Sequence, residues 1–201
     1  MERYNLVAFT KKIYNSRLSF FSLKTLRDIL EVKRESSLFL VIKKLLESEI
    51  LVKIEKDKYM IKGTSIHDFA LANFIYQPSY ISFESALNFY GILSQFPYEI
   101  ASATSKKPVE KTFEGKVFAY NHIKRELFWG YQKQDDFLIA LPEKALLDQL
   151  YLTAKGYKSI GLDEYDLTKI NKTRLKVYFK KFPKTRQFES INKTLERCLK
   201  I

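Results

Sequence analysis

Residues 140–152 read Ala-Leu-Pro-Glu-Lys-Ala-Leu-Leu-Asp-Gln-Leu-Tyr-Leu, and residues 80–91 read Tyr-Ile-Ser-Phe-Glu-Ser-Ala-Leu-Asn-Phe-Tyr-Gly. Each segment joins a short apolar run to an amphipathic pattern of helical period, which predicts a strand that leads directly into a helix. Pro142 fits the first position of the later helix, because that position needs no backbone N–H. We expect both segments to frame the core of one domain, with their polar residues serving as caps and turns.

The residues around these segments predict a small mixed sheet with helices packed on it, which is an α+β domain. This domain is expected to span residues 64–201 and to finish in a basic helical end, residues 156–201. The predicted strands besides the one at Tyr80 are residues 100–104, 117–120, 127–129 and 137–140. The predicted helices besides the two above are residues 66–76, 172–182 and 187–199.

The first 63 residues predict a separate module. Apolar side chains recur at helical spacing in residues 4–15, in a segment that follows the good N-cap Ser22, and in a third segment from Glu35. Two short strands around the charged residues 55–58 then predict a hairpin. Three helices followed by a hairpin is the order of a winged helix-turn-helix, whose third helix enters the major groove of DNA.

The predicted DNA contacts are polar residues on the outer face of the third helix, just before it, and on the hairpin. They are Lys33, Arg34, Ser36, Ser37, Lys43 and Lys44 at the helix, and Lys53, Lys56 and Lys58 on the hairpin. Lysine, arginine and serine reach phosphates and base edges. The same pattern also fits a helical cap with a solvated lysine face, or a winged domain that docks on protein.

The net charge of +12 lies at the two ends of the chain. Residues 1–63 hold 14 Lys/Arg and 8 Asp/Glu, and residues 156–201 hold 12 Lys/Arg and 5 Asp/Glu. Between them, residues 64–155 are nearly neutral, with 9 Lys/Arg and 10 Asp/Glu. Two basic ends favour contact with a polyanion, because clustered cations neutralise phosphates and release counterions. We therefore expect the basic end to lengthen a DNA footprint, although a lysine-rich composition also occurs on surfaces that are merely solvated.

Four stretches resemble the AbiEi-like antitoxins of abortive-infection toxin–antitoxin systems. They are residues 80–91, 102–104 (Ser-Ala-Thr), 118–123 (Phe-Ala-Tyr-Asn-His-Ile) and 140–148, which is the most specific. The order of these stretches along the chain and the winged N-terminal module before them both match the pattern of that family. The resemblance implies an antitoxin that binds double-stranded DNA at inverted repeats of its own operator and represses it. It also implies opposition to a nucleotidyltransferase-type toxin that needs no stable complex with that toxin.

Other functional classes receive less support. The lone Cys198 allows no internal disulfide, which fits a reducing, cytoplasmic setting, and we expect no signal peptide and no membrane span. His67 and His122 lie far apart, so we expect no catalysis, cofactor or metal. Two alternatives stay open: a module that neutralises a toxin by direct binding, and a winged-helix transcription factor whose second domain senses a ligand in a pocket lined by Tyr90, Phe96 and Trp129.

Overall fold

The computed structural model of the protein describes residues 5–157 and 161–199. Residue 4 of the predicted first helix, and residues 158–160, 200 and 201 of the predicted basic end, lie outside the described residues. The chain forms two compact units, Met1–His67 and Asp68–Ile201. Both contain helices and strands, which confirms the mixed α+β class.

In its described residues, 5–67, the first unit holds three helices and a three-stranded antiparallel sheet. In chain order its elements are α1 (Leu6–Asn15), β1 (Phe20–Ser22), α2 (Leu23–Leu30), α3 (Glu35–Glu47), β2 (Leu51–Glu55) and β3 (Lys58–Ile61). The strand order is β1-β3-β2. Ser22 caps α2 as predicted, since its side chain accepts a hydrogen bond from the backbone N–H of Thr25.

The core of the first unit collects the apolar faces of all three helices. Ile13 of α1, Leu26 and Leu30 of α2, and Leu38, Val41, Ile42 and Leu45 of α3 are buried together with Phe21 and Tyr59 of the sheet. The spacing of the buried α3 residues is that of one helical stripe. The opposite face of α3 is therefore turned to solvent.

The second unit is built on a six-stranded mixed sheet of order β6-β7-β5-β4-β9-β8. Its elements are α4 (Asp68–Ile75), β4 (Ser79–Ile81), α5 (Phe83–Phe89), β5 (Glu99–Thr104), β6 (Val109–Phe113), β7 (Lys116–His122), β8 (Tyr131–Gln134), β9 (Phe137–Ala140), α6 (Pro142–Ala154), α7 (Lys172–Phe179) and α8 (Arg186–Leu199). The pairs β4–β9 and β5–β7 are parallel, and the others are antiparallel. Residues 80–91 form the end of β4 and α5, and residues 140–152 form the end of β9 and most of α6.

One predicted strand is wrong. Leu127 ends a 3-10 turn, Arg125–Leu127, and residues 128 and 129 follow it directly. The N–H of Leu127 donates to the carbonyl of Lys124, and the N–H of Phe128 donates to the carbonyl of Arg125. These local bonds leave no donors for a ladder, and the buried Leu127 gives the segment its strand-like apolar appearance. The edge strands β6 and β8 were not predicted, because their alternating charged and polar residues suit solvent-facing edges.

Candidate nucleic-acid interface

The outer face of α3 is exposed and carries two lysines together with Glu35 and Glu47. Burial of the opposite stripe leaves Leu40 more than half exposed, at 54%, and places Lys43 and Lys44 in solvent. Lys43 lies 3.7 Å from Glu47, and both side chains are largely exposed. An exposed pair of this kind contributes little to stability, so Lys43 can exchange its carboxylate partner for a phosphate at small cost.

The start of α3 carries two further cations. Arg34 precedes the first helical residue and makes no side-chain cap, and Lys33 lies before it. Both are exposed, and neither forms an ion pair with any described acidic residue. Ser36 is exposed and Ser37 is half-buried. Donors at the start of a helix lie beside its positive dipole end, which favours an approaching anion.

The hairpin of β2 and β3 is held firmly to the helices. β1 pairs with β3 throughout its length, and the N–H of Leu23, at the start of α2, donates to the carbonyl of Asp57 at the hairpin tip, at 2.9 Å. Lys53 and Lys56 are exposed, without an ion pair to any described residue. Lys58 is different, because it is half-buried and pairs with Glu55 at 2.5 Å. Its charge is thus partly neutralised within the hairpin.

A buried polar network in the second unit was missed by sequence reasoning. Lys144 and Asp148 of α6 form an ion pair, and both side chains are fully buried. Asp148 also accepts hydrogen bonds from the hydroxyls of Tyr80 (2.9 Å) and Ser82 (2.8 Å). Lys144 donates to the Tyr80 hydroxyl at 2.8 Å. The prediction that the polar residues of these segments serve only as caps and turns was wrong.

Burial shapes the protonation of this network. Desolvation raises the pKa of Asp148 and lowers the pKa of Lys144, while each charge partly offsets this effect on the other. Desolvation, together with the neighbouring Asp148, raises the pKa of Tyr80 well above its usual range. The ammonium of Lys144 also lies 5.2 Å from the ring centre of Trp129 and 5.3 Å from that of Phe182.

The network is closed to substrates in this structure. Tyr80, Ser82, Lys144 and Asp148 all have zero exposed surface, so no solute reaches the lysine or the carboxylate. The network pairs two charges and satisfies their hydrogen bonds inside the core, and it holds α6 against β4. The only local signal in the sequence was the spacing of Lys144 and Asp148, four residues apart on one helix face.

The basic helical end is attached to α6 by a second buried carboxylate. Glu143 is 1% exposed, and it accepts a hydrogen bond from the N–H of Asn171 at 2.8 Å and pairs with Arg174 at 3.3 Å. Glu143 and Asp148 therefore serve separate partners. Phe188 of α8 stacks on two neighbouring rings, those of Phe179 and Phe182, so this end is packed as well as charged.

The aromatic pocket predicted for a ligand-sensing domain is not formed as expected. The side chain of Phe96 is 90% exposed, so it lines no enclosed cavity. Trp129 packs edge-on against Tyr178 of α7, at 4.9 Å between ring centres. The aromatic residues at these positions are engaged in packing or open to solvent, because the α7–α8 segment covers Trp129.

Within residues 5–157 and 161–199, no helix has both the length and the apolar character to cross a membrane. The same part of the chain has no group of three or more His, Cys, Asp or Glu side chains arranged to hold a metal ion. Comparisons with protein-family models and with curated protein sequences find no match to this chain.

Proposed function

We propose that the chain is a DNA-binding protein that represses transcription through a winged helix-turn-helix in its first unit. The observation that carries this proposal is a set of four exposed cations: Lys33 and Arg34 immediately before α3, and Lys43 and Lys44 on its outer face near its C-terminal end. Four exposed cations on one helix and the turn before it fit the electrostatic demands of a phosphate backbone.

The topology of the first unit supports this assignment. α2 is followed by its C-cap Glu31 in the left-handed conformation, with φ of 56°, and three more residues lead into α3. A short turn between two packed helices is the arrangement that presents a recognition helix to the major groove. The rigidly held hairpin, with Lys53 and Lys56 exposed, is placed in the chain where a wing follows the recognition helix.

The wider proposal is that this DNA-binding protein is a cytoplasmic antitoxin of the AbiEi-like kind. Its support is the resemblance in residues 80–91, 102–104, 118–123 and 140–148. The partners are then the operator of the chain's own operon and a nucleotidyltransferase-type toxin encoded beside it. A toxin of that class as the product of the adjacent gene would support this wider proposal, and a neighbour of another kind would count against it.

The decisive experiment measures operator affinity of the full-length protein by gel shift across a range of salt concentrations. Neutralising Lys43 and Lys44 together, as Lys43→Ala/Lys44→Ala, should weaken binding by about tenfold or more near physiological salt and reduce the salt slope by roughly two. Lys133→Ala is the matched control for each single charge, because Lys133 is an exposed lysine on the edge strand β8.

The outcomes distinguish a specific contact by α3 from a general effect of positive charge. Unchanged affinity in the double variant would place the DNA contact elsewhere and overturn the role of α3. An equal loss in Lys133→Ala would show that only overall charge matters. Co-expression with the neighbouring toxin then tests the antitoxin proposal. Rescue of growth by the wild-type chain supports it, and failure to rescue counts against it. Salt-resistant co-purification would favour neutralisation by direct binding.

A further inference from the structure

An open surface groove lies at one end of the sheet in the second unit, and none of the predicted DNA-contact residues lines it. It has a volume of about 590 Å³ and lies where the parallel strands β5 and β7 both end. The residues that line it are Tyr76, Ser105, Lys106, Lys107, Pro108 and His122.

The loop that forms one wall of this groove, residues 105–108, is fixed in place by three hydrogen bonds. Tyr76 donates its hydroxyl to the carbonyl of Lys107 at 3.0 Å. The Nδ1–H of His122 donates to the carbonyl of Lys106 at 2.9 Å, and the N–H of Lys106 donates to the Thr104 hydroxyl at 3.2 Å. A wall held in this way loses little conformational entropy when a ligand binds.

The charge at the groove is positive and uncompensated. Lys106 and Lys107 are exposed, and neither ammonium group meets a carboxylate from any described residue. Arg125, just beyond the end of β7, is also exposed and unpaired within the described chain. The one acidic residue on this connection, Glu126, pairs with Lys124 at 3.7 Å. His122 uses Nδ1 for the loop, so its other ring nitrogen is left for a ligand.

The groove also offers flat carbon surface beside these cations. The ring of Tyr76 and the ring of Pro108 are part of its lining. The exposed Lys106 side chain lies over the Tyr76 ring, with its ammonium 5.7 Å from the ring centre, so a base stacks on this ring when that side chain turns toward the phosphate. A ligand that fits must present a flat apolar group together with a negative charge. Nucleotides combine both features, because a base stacks on an aromatic ring while the phosphate accepts hydrogen bonds from lysine.

We propose that this groove binds a nucleotide through its phosphate, with Lys106 and Lys107 as the phosphate-binding residues and Tyr76 as a surface for the base. The phosphate can belong to a free nucleotide or to the end of a single strand. The site is independent of the operator contacts of α3, because it lies in the other unit and uses none of the same residues.

The test uses the full-length protein and fluorescence anisotropy with three probes: a fluorescently labelled ATP, and a labelled hexanucleotide with either a 5′-phosphate or a 5′-hydroxyl. The variant is Lys106→Ala/Lys107→Ala. The loop hydrogen bonds use the main-chain atoms of these lysines, so the fold is expected to survive, and circular dichroism checks it. Lys133→Ala, at the opposite edge of the same sheet, is the control.

We expect wild type and Lys133→Ala to bind the labelled ATP or the phosphorylated hexanucleotide equally, and the double variant to bind about tenfold more weakly or worse. Binding of labelled ATP alone assigns the free nucleotide, and preference for the 5′-phosphate over the 5′-hydroxyl assigns a strand end. The proposal is overturned if wild type binds none of the probes below about 1 mM. It is also overturned if both hexanucleotides bind alike and labelled ATP does not bind, or if the double variant binds all three probes as tightly as the wild type.

Discussion

Replacing Lys144 by methionine tests the buried network of the second unit directly. Methionine keeps a long unbranched side chain against Trp129 and Phe182 and removes only the charge and its hydrogen bonds. Asp148 is then left fully buried, with the hydroxyls of Tyr80 and Ser82 as donors and without its cation. Removing one partner of a buried ion pair typically costs about 3–5 kcal/mol, and the zero exposure of both side chains places Lys144→Met within that range at neutral pH.

The loss of unfolding free energy caused by Lys144→Met should depend on pH, and its direction can be derived. Burial already raises the pKa of Asp148, and loss of the ammonium raises it further. A carboxyl whose pKa is higher in the folded than in the unfolded state holds its proton on folding, so stability is lost as pH rises from about 4 through the folded pKa. The stability deficit of the variant should therefore be smaller at pH 5.0 than at pH 7.5.

The assay is urea unfolding at the two pH values, followed by the fluorescence of Trp129, the only tryptophan of the chain. The matched variant is Lys144→Met/Asp148→Asn, which removes both charges while its amide oxygen still accepts from Tyr80 and Ser82. It should be more stable than Lys144→Met at pH 7.5 and should lack the pH dependence. A cost below about 1 kcal/mol for Lys144→Met at both pH values would refute the description of a buried, charged pair.

Two further predictions concern the helices. Ser22→Ala removes the N-cap of α2 and should lower the unfolding free energy of the first unit by about 1 kcal/mol in a urea titration followed by circular dichroism, whereas Ser36→Ala on the exposed face of α3 should leave it unchanged. Lys180→Ala/Lys184→Ala tests whether the basic end lengthens the DNA footprint, and should reduce the salt slope of operator binding by about two. An unaltered slope would show that the lysines of the basic end face solvent and do not contact DNA. Charge neutralisation is preferable to truncation here, because deleting α8 would remove the buried Phe188.

The first unit was largely predictable because its elements are specified by neighbouring residues. The N-cap Ser22, the apolar stripe of α3 and the charged turn of the hairpin each depend on contacts a few residues away, and all three are observed. The exposure of Lys43 and Lys44 follows from the same stripe. The pairing of Lys58 with Glu55 was not foreseen, since both residues were placed in the predicted turn without regard to which side chains would meet.

The second unit was less predictable because its structure depends on distant pairings. The edge strands β6 and β8 contain too few apolar residues for a recognisable strand pattern, and only the sheet that receives them makes them strands. The apolar residues 127–129 looked like a strand, yet burial of a single residue, Leu127, in a 3-10 turn accounts for them.

The sequence by itself determined the two kinds of local order in this protein: helices of period 3.6 with their caps, and short strands bounded by charged turns. It also determined the separation of charge into basic ends and a neutral middle. Only the tertiary structure decided that Lys144 meets Tyr80 across 64 positions of the chain, and that Lys106 and Tyr76 share one groove. The physical reason is that backbone geometry and side-chain periodicity act over a few residues. Burial of a charge and the shape of a groove, by contrast, depend on which distant segments the sheet brings together.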